Sequence, residues 1–277
     1  MFEVSIAKLH GIMIFIYAVS ILLYFFDFLQ QNRKANRIAF WSLTIVWILQ
    51  TIFLFLYILE TKRFPILTLS EGLYFYAWVL VTLSIIINRL LRMDFTVFFT
   101  NLLGFSIMVI HTFAPLTIQS EAMAEQLVSE LLFIHITMAI LSYGAFSLSF
   151  VFSLLYLIQY KLLKEKKWGQ RLWRIGDLSQ LEKMSYVLNA IGVPMLLLSL
   201  ILGLEWASLN LTSFRWYDPK IIGSFVLLFL YSMFLYLRIR KEMYGKSLAF
   251  WNVAAFLIVL INFFLTSSLS SFHFWYM

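Results

Sequence analysis

The four histidines of this 277-residue chain are His10, His111, His135 and His273, and residues 206–220 read WASLNLTSFRWYDPK. That stretch sets Trp206, Phe214, Trp216 and Tyr217 among Arg215, Asp218 and Lys220. Aromatic faces offer stacking surface, cations at their margin pair with carboxylates, and neutral imidazoles ligate iron. Together these residue types suit a large planar ligand that carries carboxylates, and a porphyrin meets that description. A plainer account is an interfacial belt, where Trp and Tyr gather in any membrane protein. It explains one or two aromatics and gives no reason for the Arg215, Asp218, Pro219 and Lys220 packed among them. The chain has no Cys, which excludes thiol chemistry, disulfides, cysteine-ligated metals and covalent heme attachment through C-x-x-C-H. With no Gly-rich phosphate loop, G-x-S-x-G elbow or paired carboxylates, the chain is expected to bind rather than to catalyse.

The elements that must position these residues are set by composition. With 62% hydrophobic and 13% charged residues and a mean hydropathy of +0.87, the chain cannot be an ordinary soluble domain. A hydrocarbon core about 30 Å thick takes about 20 apolar residues to cross as a helix. Eight stretches meet that requirement, near 5–28, 38–60, 72–90, 95–113, 129–160, 185–206, 220–238 and 247–270. In lipid each must satisfy its own backbone polar groups, so the fold class is all-α, a bundle of eight transmembrane helices. No soluble domain or internal repeat interrupts them, and residues 1–277 read as a single membrane domain. The start of the chain lacks the basic n-region and small-residue site of a cleavable signal.

Charge orients the bundle. The segments 31–37, 89–94, 161–184 and 238–246 hold 3, 2, 7 and 4 of the 21 Lys and Arg residues, and Lys8, Lys62, Arg63, Arg215 and Lys220 lie on the other side. Basic residues stay preferentially cytoplasmic, so both termini and the 206–220 loop should face outward from a bacterial plasma membrane. The net charge of +7 is then a topology signal and not a nucleic-acid signal. Much of it sits in the 161–184 loop, a topology determinant that also offers a surface to anionic lipid or a cytosolic partner. On this topology all four histidines fall at outward helix ends. For His10 and His111 an interfacial position accounts for the residue. His135 and His273 share their side with the aromatic loop and are the candidate axial ligands.

The chain resembles the CcsA/CcmC cytochrome c assembly family, whose mark is a tryptophan-rich outer loop closing on W-D-P-K-E. SYVLNAIGVPMLLLSLILGLEWA matches the family's approach helix, with Gly192, Pro194, Gly203 and Trp206 in place, and Asp218, Pro219 and Lys220 follow in register. HITMAILSYG at 135–144 is similar to the family helix whose His is one outer heme ligand, and SSFHFWYM stands where the second is expected. FPILTLSEGLYFYAW at 64–78 resembles another shared segment, with Glu71 and Trp78 retained. The resemblance covers about residues 63–277 and implies heme b held by His135 and His273. Trp206, Trp216 and Tyr217 would then supply stacking surface, Arg215 and Lys220 would lie near the propionates, and Asp218 would brace the loop.

Departures from the pattern narrow what is implied. Leu211, Arg215, Tyr217 and Gly223 stand where the family has Trp, Trp216 is displaced by one place, and Ile221 replaces an acidic residue. Arg238 in YLRIR replaces the intramembrane His tied to heme uptake from the inner side, and Arg63 replaces a His before Phe64. The outer pair is kept and the inner ligand is gone, which favours a heme holder over a synthase. The length, eight spans, degenerate loop and lack of Cys look most similar to the HemX-type branch. That branch is associated with early tetrapyrrole synthesis, where it lowers the level of glutamyl-tRNA reductase. Two alternatives stand beside this expectation: a heme delivery or export component of cytochrome c assembly, and a transporter or scaffold that takes no heme. The near absence of mid-span ionisable groups, where Gln50 and Asn189 are polar but uncharged, weighs against the transporter.

Overall fold

The computed structural model describes residues 2–66, 68–91, 93–113, 130–166, 176–210 and 216–269. Among these, eight helices are long and apolar enough to cross a membrane. They are α1 (Phe2–Gln30), α2 (Arg33–Thr61), α3 (Leu69–Leu91), α4 (Asp94–Phe113), α5 (Glu130–Lys164), α6 (Leu178–Asn210), α7 (Pro219–Arg240) and α8 (Lys246–Leu269). All eight expected spans are present, and several run past the apolar stretch that revealed them. At 35 residues, α5 is about 52 Å long at 1.5 Å per residue, well beyond the hydrocarbon thickness. Helices α2 and α6 begin before the expected 38 and 185 because polar caps and amphipathic turns extend a helix outside lipid. Asn32, for example, accepts from the backbone N–H of Lys34 at 3.0 Å and Ala35 at 3.3 Å.

Contacts cluster in two compact units, one formed by Met1–Pro65 with Leu69–Pro115 and the other by Ile66–Thr68 with Leu116–Met277. In the first, α1 packs on α2 and α4, and α3 packs on α2 and α4, which closes a ring of four helices. In the second, α5 and α7 each pack on both α6 and α8, and a second ring closes. Helices that share a lipid environment gain little from burying apolar surface, so interhelical polar contacts help hold such rings. In the first unit Tyr17 donates to Asn101 at 3.1 Å and Asn101 to Ser84 at 2.8 Å, tying α1 to α4 and α4 to α3. Trp47 and Trp78 donate to Thr82 and Thr51 across α2 and α3, at 2.8 and 3.0 Å. In the second unit the buried Asn252 amide of α8 reaches Ser149, Ser153 and Ser185, and accepts from Asn189. Outward-facing Phe15, Trp41, Phe55 and Phe229 are each at least 61% exposed, a surface suited to lipid and not to water.

The expected sidedness gives an all-or-none prediction. Reporter fusions after residue 170 should read cytoplasmic, and fusions near 212 and at the C-terminus should read external. A cytoplasmic reading at 212 would remove the aromatic loop from the outer face.

Candidate imidazole and aromatic site

His135 lies in the second turn of α5, and its ring is seated against α6. Its Nδ1 is 2.6 Å from the Ser199 carbonyl and 3.0 Å from the Ser199 hydroxyl, whose oxygen in turn donates to the His135 carbonyl at 2.9 Å. A carbonyl only accepts, so Nδ1 carries the proton and the unshared pair is on Nε2. A backbone acceptor on one imidazole nitrogen is the usual way a protein fixes the tautomer and direction of a ligating His. The ring approaches so closely because residue 203 has no side chain: a Cβ there would lie 2.5 Å from Cε1, 2.6 Å from Nδ1 and 3.0 Å from Nε2 of His135.

One turn further along α6, Trp206 is buried with Leu132 and Ala207, and its indole N–H has no hydrogen-bond partner. An indole N–H left unpaired away from water is costly and unusual. The Asp-Pro-Lys step that closes the loop starts α7. Asp218 is its N-cap, accepting from the Lys220 N–H at 2.9 Å, and Pro219 takes the first helical position, the place where its missing N–H costs nothing. Lys220 turns inward: its ammonium donates to the Asn262 carbonyl of α8 at 2.8 Å, lies 5.7 Å from the Phe263 ring, and is within electrostatic range of His135. Trp216 and Tyr217, at 65% and 71% exposure, form the outward aromatic face of the turn.

The structure therefore gathers His135, Trp206, Asp218 and Lys220 at one end of the second unit, with Trp216 and Tyr217 on its surface. Arg215 and His273 lie outside the described residues. Sequence reasoning missed Ser199, although S-L-I-L-G at 199–203 is a small-xxx-small pattern of the kind that lets helices approach closely. The sequence expectation for His10 and His111 is an interfacial position at helix ends. They are half-buried in the first unit, with ring centroids 5.1 Å apart.

The two arginines that replace family histidines each have an acidic partner. Arg238 stands 3.2 Å from Glu182, in charge contact but without an aligned hydrogen bond, and its guanidinium covers Tyr244 at 3.9 Å. Arg63 meets Glu71 through both of its terminal nitrogens, at 3.0 and 2.8 Å, and Glu71 also accepts from Tyr57. Burial works against the Arg63 charge, yet the Glu71 hydrogen bonds and carboxylate hold its pKa above the ordinary value.

The residues fit a heme. A fixed imidazole has its Nε2 pair available, a glycine cradle admits the ring, an indole donor is unpaired, and stacking surface lies at the unit's end. The eight apolar helices among the described residues define a multi-pass membrane protein. The cytochrome C assembly protein family model matches residues 66–273. Protein HemX of Bacillus subtilis (strain 168) is 62% identical over 273 residues, covering 99% of each chain. Protein HemX of Brevibacillus brevis is 46% identical over 268 residues, covering 97% of this chain and 98% of that one. Cytochrome c biogenesis protein CcsA of Chlamydomonas reinhardtii is 26% identical over 209 residues, 72% of this chain and 57% of that protein. The chain belongs to the cytochrome c assembly protein family, in its HemX branch.

Proposed function

We propose that the chain holds heme b at the outer face, with His135 and His273 as axial ligands, and that its occupancy lowers the level of glutamyl-tRNA reductase. The observation that carries the reading is the locked imidazole of His135. Nδ1–H on the Ser199 carbonyl and the close face of Gly203 fix the ring before any ligand arrives, and preorganisation of this kind lowers the cost of binding. Bound there, heme would supply an iron with two axial positions that imidazoles fill. Trp206, Trp216 and Tyr217 provide stacking surface, and Arg215 and Lys220 are the cations assigned to the propionates. Asp218 braces the start of α7 and does not touch the iron. The noncovalent heme follows from the lack of Cys.

A heme holder explains the inner side better than a delivery component does. Arg238 is engaged by Glu182 and Tyr244, and a guanidinium is not an iron ligand. Passing heme through this chain would require an inner ligand from elsewhere. The basic 161–184 segment is the surface assigned to inward signalling, through a cytosolic or membrane partner in the reductase pathway.

The test compares reductase levels in cells that make the wild-type chain, the His135→Ala variant or neither. Wild type should lower the reductase, and His135→Ala should not. Equal reductase in all three would overturn the regulatory reading. In a host without other assembly factors, the chain should yield no covalent cytochrome c. Its appearance would restore the delivery reading.

A further inference from the structure

The first unit contains a second pair of imidazoles that the proposed heme site does not use. His10 of α1 and His111 of α4 face each other with centroids 5.1 Å apart and planes tilted by 59°. Tyr74 lies 5.3 Å from His111, and Phe53 lies 6.2 Å from His10. His111 repeats the lock seen at His135: its Nδ1 is 2.8 Å from the Ser70 carbonyl, so Nδ1 donates and the unshared pair is on Nε2. The Nε2 of His10 is buried with no hydrogen-bond partner. The two imidazoles are thus in contact, and one of them carries a buried nitrogen with no hydrogen-bond partner.

The spacing suits one class of ligand, a single ion held by both rings. Imidazole nitrogens bind first-row ions at about 2.0 Å, which puts each ring centroid about 3.2 Å from the ion. Centroids 5.1 Å apart then subtend about 105° at that ion, near the tetrahedral angle. Two axial ligands of a heme stand on opposite sides of the iron and would need centroids about 6.4 Å apart with a macrocycle between them. The pair fits a bare ion and not a porphyrin.

Two more donors complete a tetrahedral shell. Among the described residues no third His, Cys, Asp or Glu joins the pair. Each His does carry a Met one turn deeper on its own helix, Met13 after His10 and Met108 before His111, both buried. Helices α1 and α4 pack antiparallel, with the Tyr17 hydroxyl against Gly104 and His10 against His111, and the same register sets Met13 opposite Met108. The Met13 sulfur already reaches this wall, 3.7 Å from the Tyr74 hydroxyl. Thioethers are soft donors that select Cu(I), and a wholly neutral shell offers nothing to hard dications. We propose that His10, Met13, Met108 and His111 form a Cu(I) site in the first unit, at the outer end of α1 and α4.

The test is anaerobic titration of full-length purified protein against the Cu(I)–bicinchoninate complex. Wild type should withdraw one Cu(I) per chain, with sulfur in the copper shell by X-ray absorption. Outer-shell partners alone are worth about 10–100-fold in metal affinity, so His10→Ala and His111→Ala should weaken Cu(I) binding by about 100-fold or more. Met13→Leu and Met108→Leu keep the core volume and should lose the sulfur signal while the helical content is unchanged. His135→Ala should bind Cu(I) as wild type does, which separates this site from the heme reading. The proposal is overturned if wild type takes no copper from the competitor, or if the methionine variants bind as wild type does. It is equally overturned if zinc binds in preference to Cu(I), or if His10→Ala lowers heme content in place of copper.

Discussion

Replacing His135 by Ala should reduce the heme affinity of the purified protein by more than about 100-fold and leave the fold intact. Losing an outer-shell partner of a ligating His typically costs 10–100-fold, and this change removes the ligand itself. The fold should survive because the ring's polar contacts run to a single residue of α6, Ser199, among those the structure describes. The helices remain joined elsewhere through the buried Asn252 and Asn262 networks. Ser199→Ala is the informative companion. It removes the hydroxyl but keeps the backbone carbonyl that holds Nδ1 at 2.6 Å, so heme affinity should fall far less. Heme content in the two variants, read by pyridine hemochrome assay, separates ligation from local packing.

The second large effect is expected at Gly203. A methyl group there would sit 2.5–3.0 Å from three atoms of the His135 ring, closer than atoms can approach, so Gly203→Ala must push the ring off the Ser199 carbonyl. Overpacking of this kind costs roughly 1–3 kcal/mol of stability, and a misdirected imidazole should lower heme affinity by at least about tenfold. A modest fall in thermal stability with a large fall in heme affinity is the expected signature. Unchanged heme affinity in Gly203→Ala would mean that the seat on α6 does not aim the ring.

The fold was legible in the sequence because lipid leaves little choice. A run such as Leu9–Gln30 must be helical to satisfy its own backbone, and only its ends were uncertain: α6 starts at Leu178 and not at 185 because its first two turns, LSQLEKM, are amphipathic and not continuously apolar. From the sequence the seventh span begins near 220 and Asp218 is only a brace of the loop; the structure makes Asp218 the N-cap of α7, with Pro219 at its first position. The closing of two four-helix rings was not legible, since counting spans says nothing about which helices are neighbours.

At the site, residue types could be read and partnerships could not. His135 stood out as one of four imidazoles beside an aromatic loop, but its lock is a backbone carbonyl 64 residues away, which carries no side-chain signature. His10 and His111 were each explicable as interfacial because their pairing depends on α1 meeting α4 across 101 positions of sequence. Arg238 read as a lost ligand; that its charge is balanced by Glu182 appears only when α6 and α7 are set side by side.

The central claim, a heme on the outer face between two imidazoles, is tested most directly by the ferric spectrum of heme on the purified full-length protein. The account predicts a six-coordinate, low-spin signal of two neutral imidazoles that becomes high-spin or disappears in both His135→Ala and His273→Ala, and persists in His10→Ala and His111→Ala. A protein that takes up no heme, or a wild-type spectrum with full heme in both outer-pair variants, would contradict it.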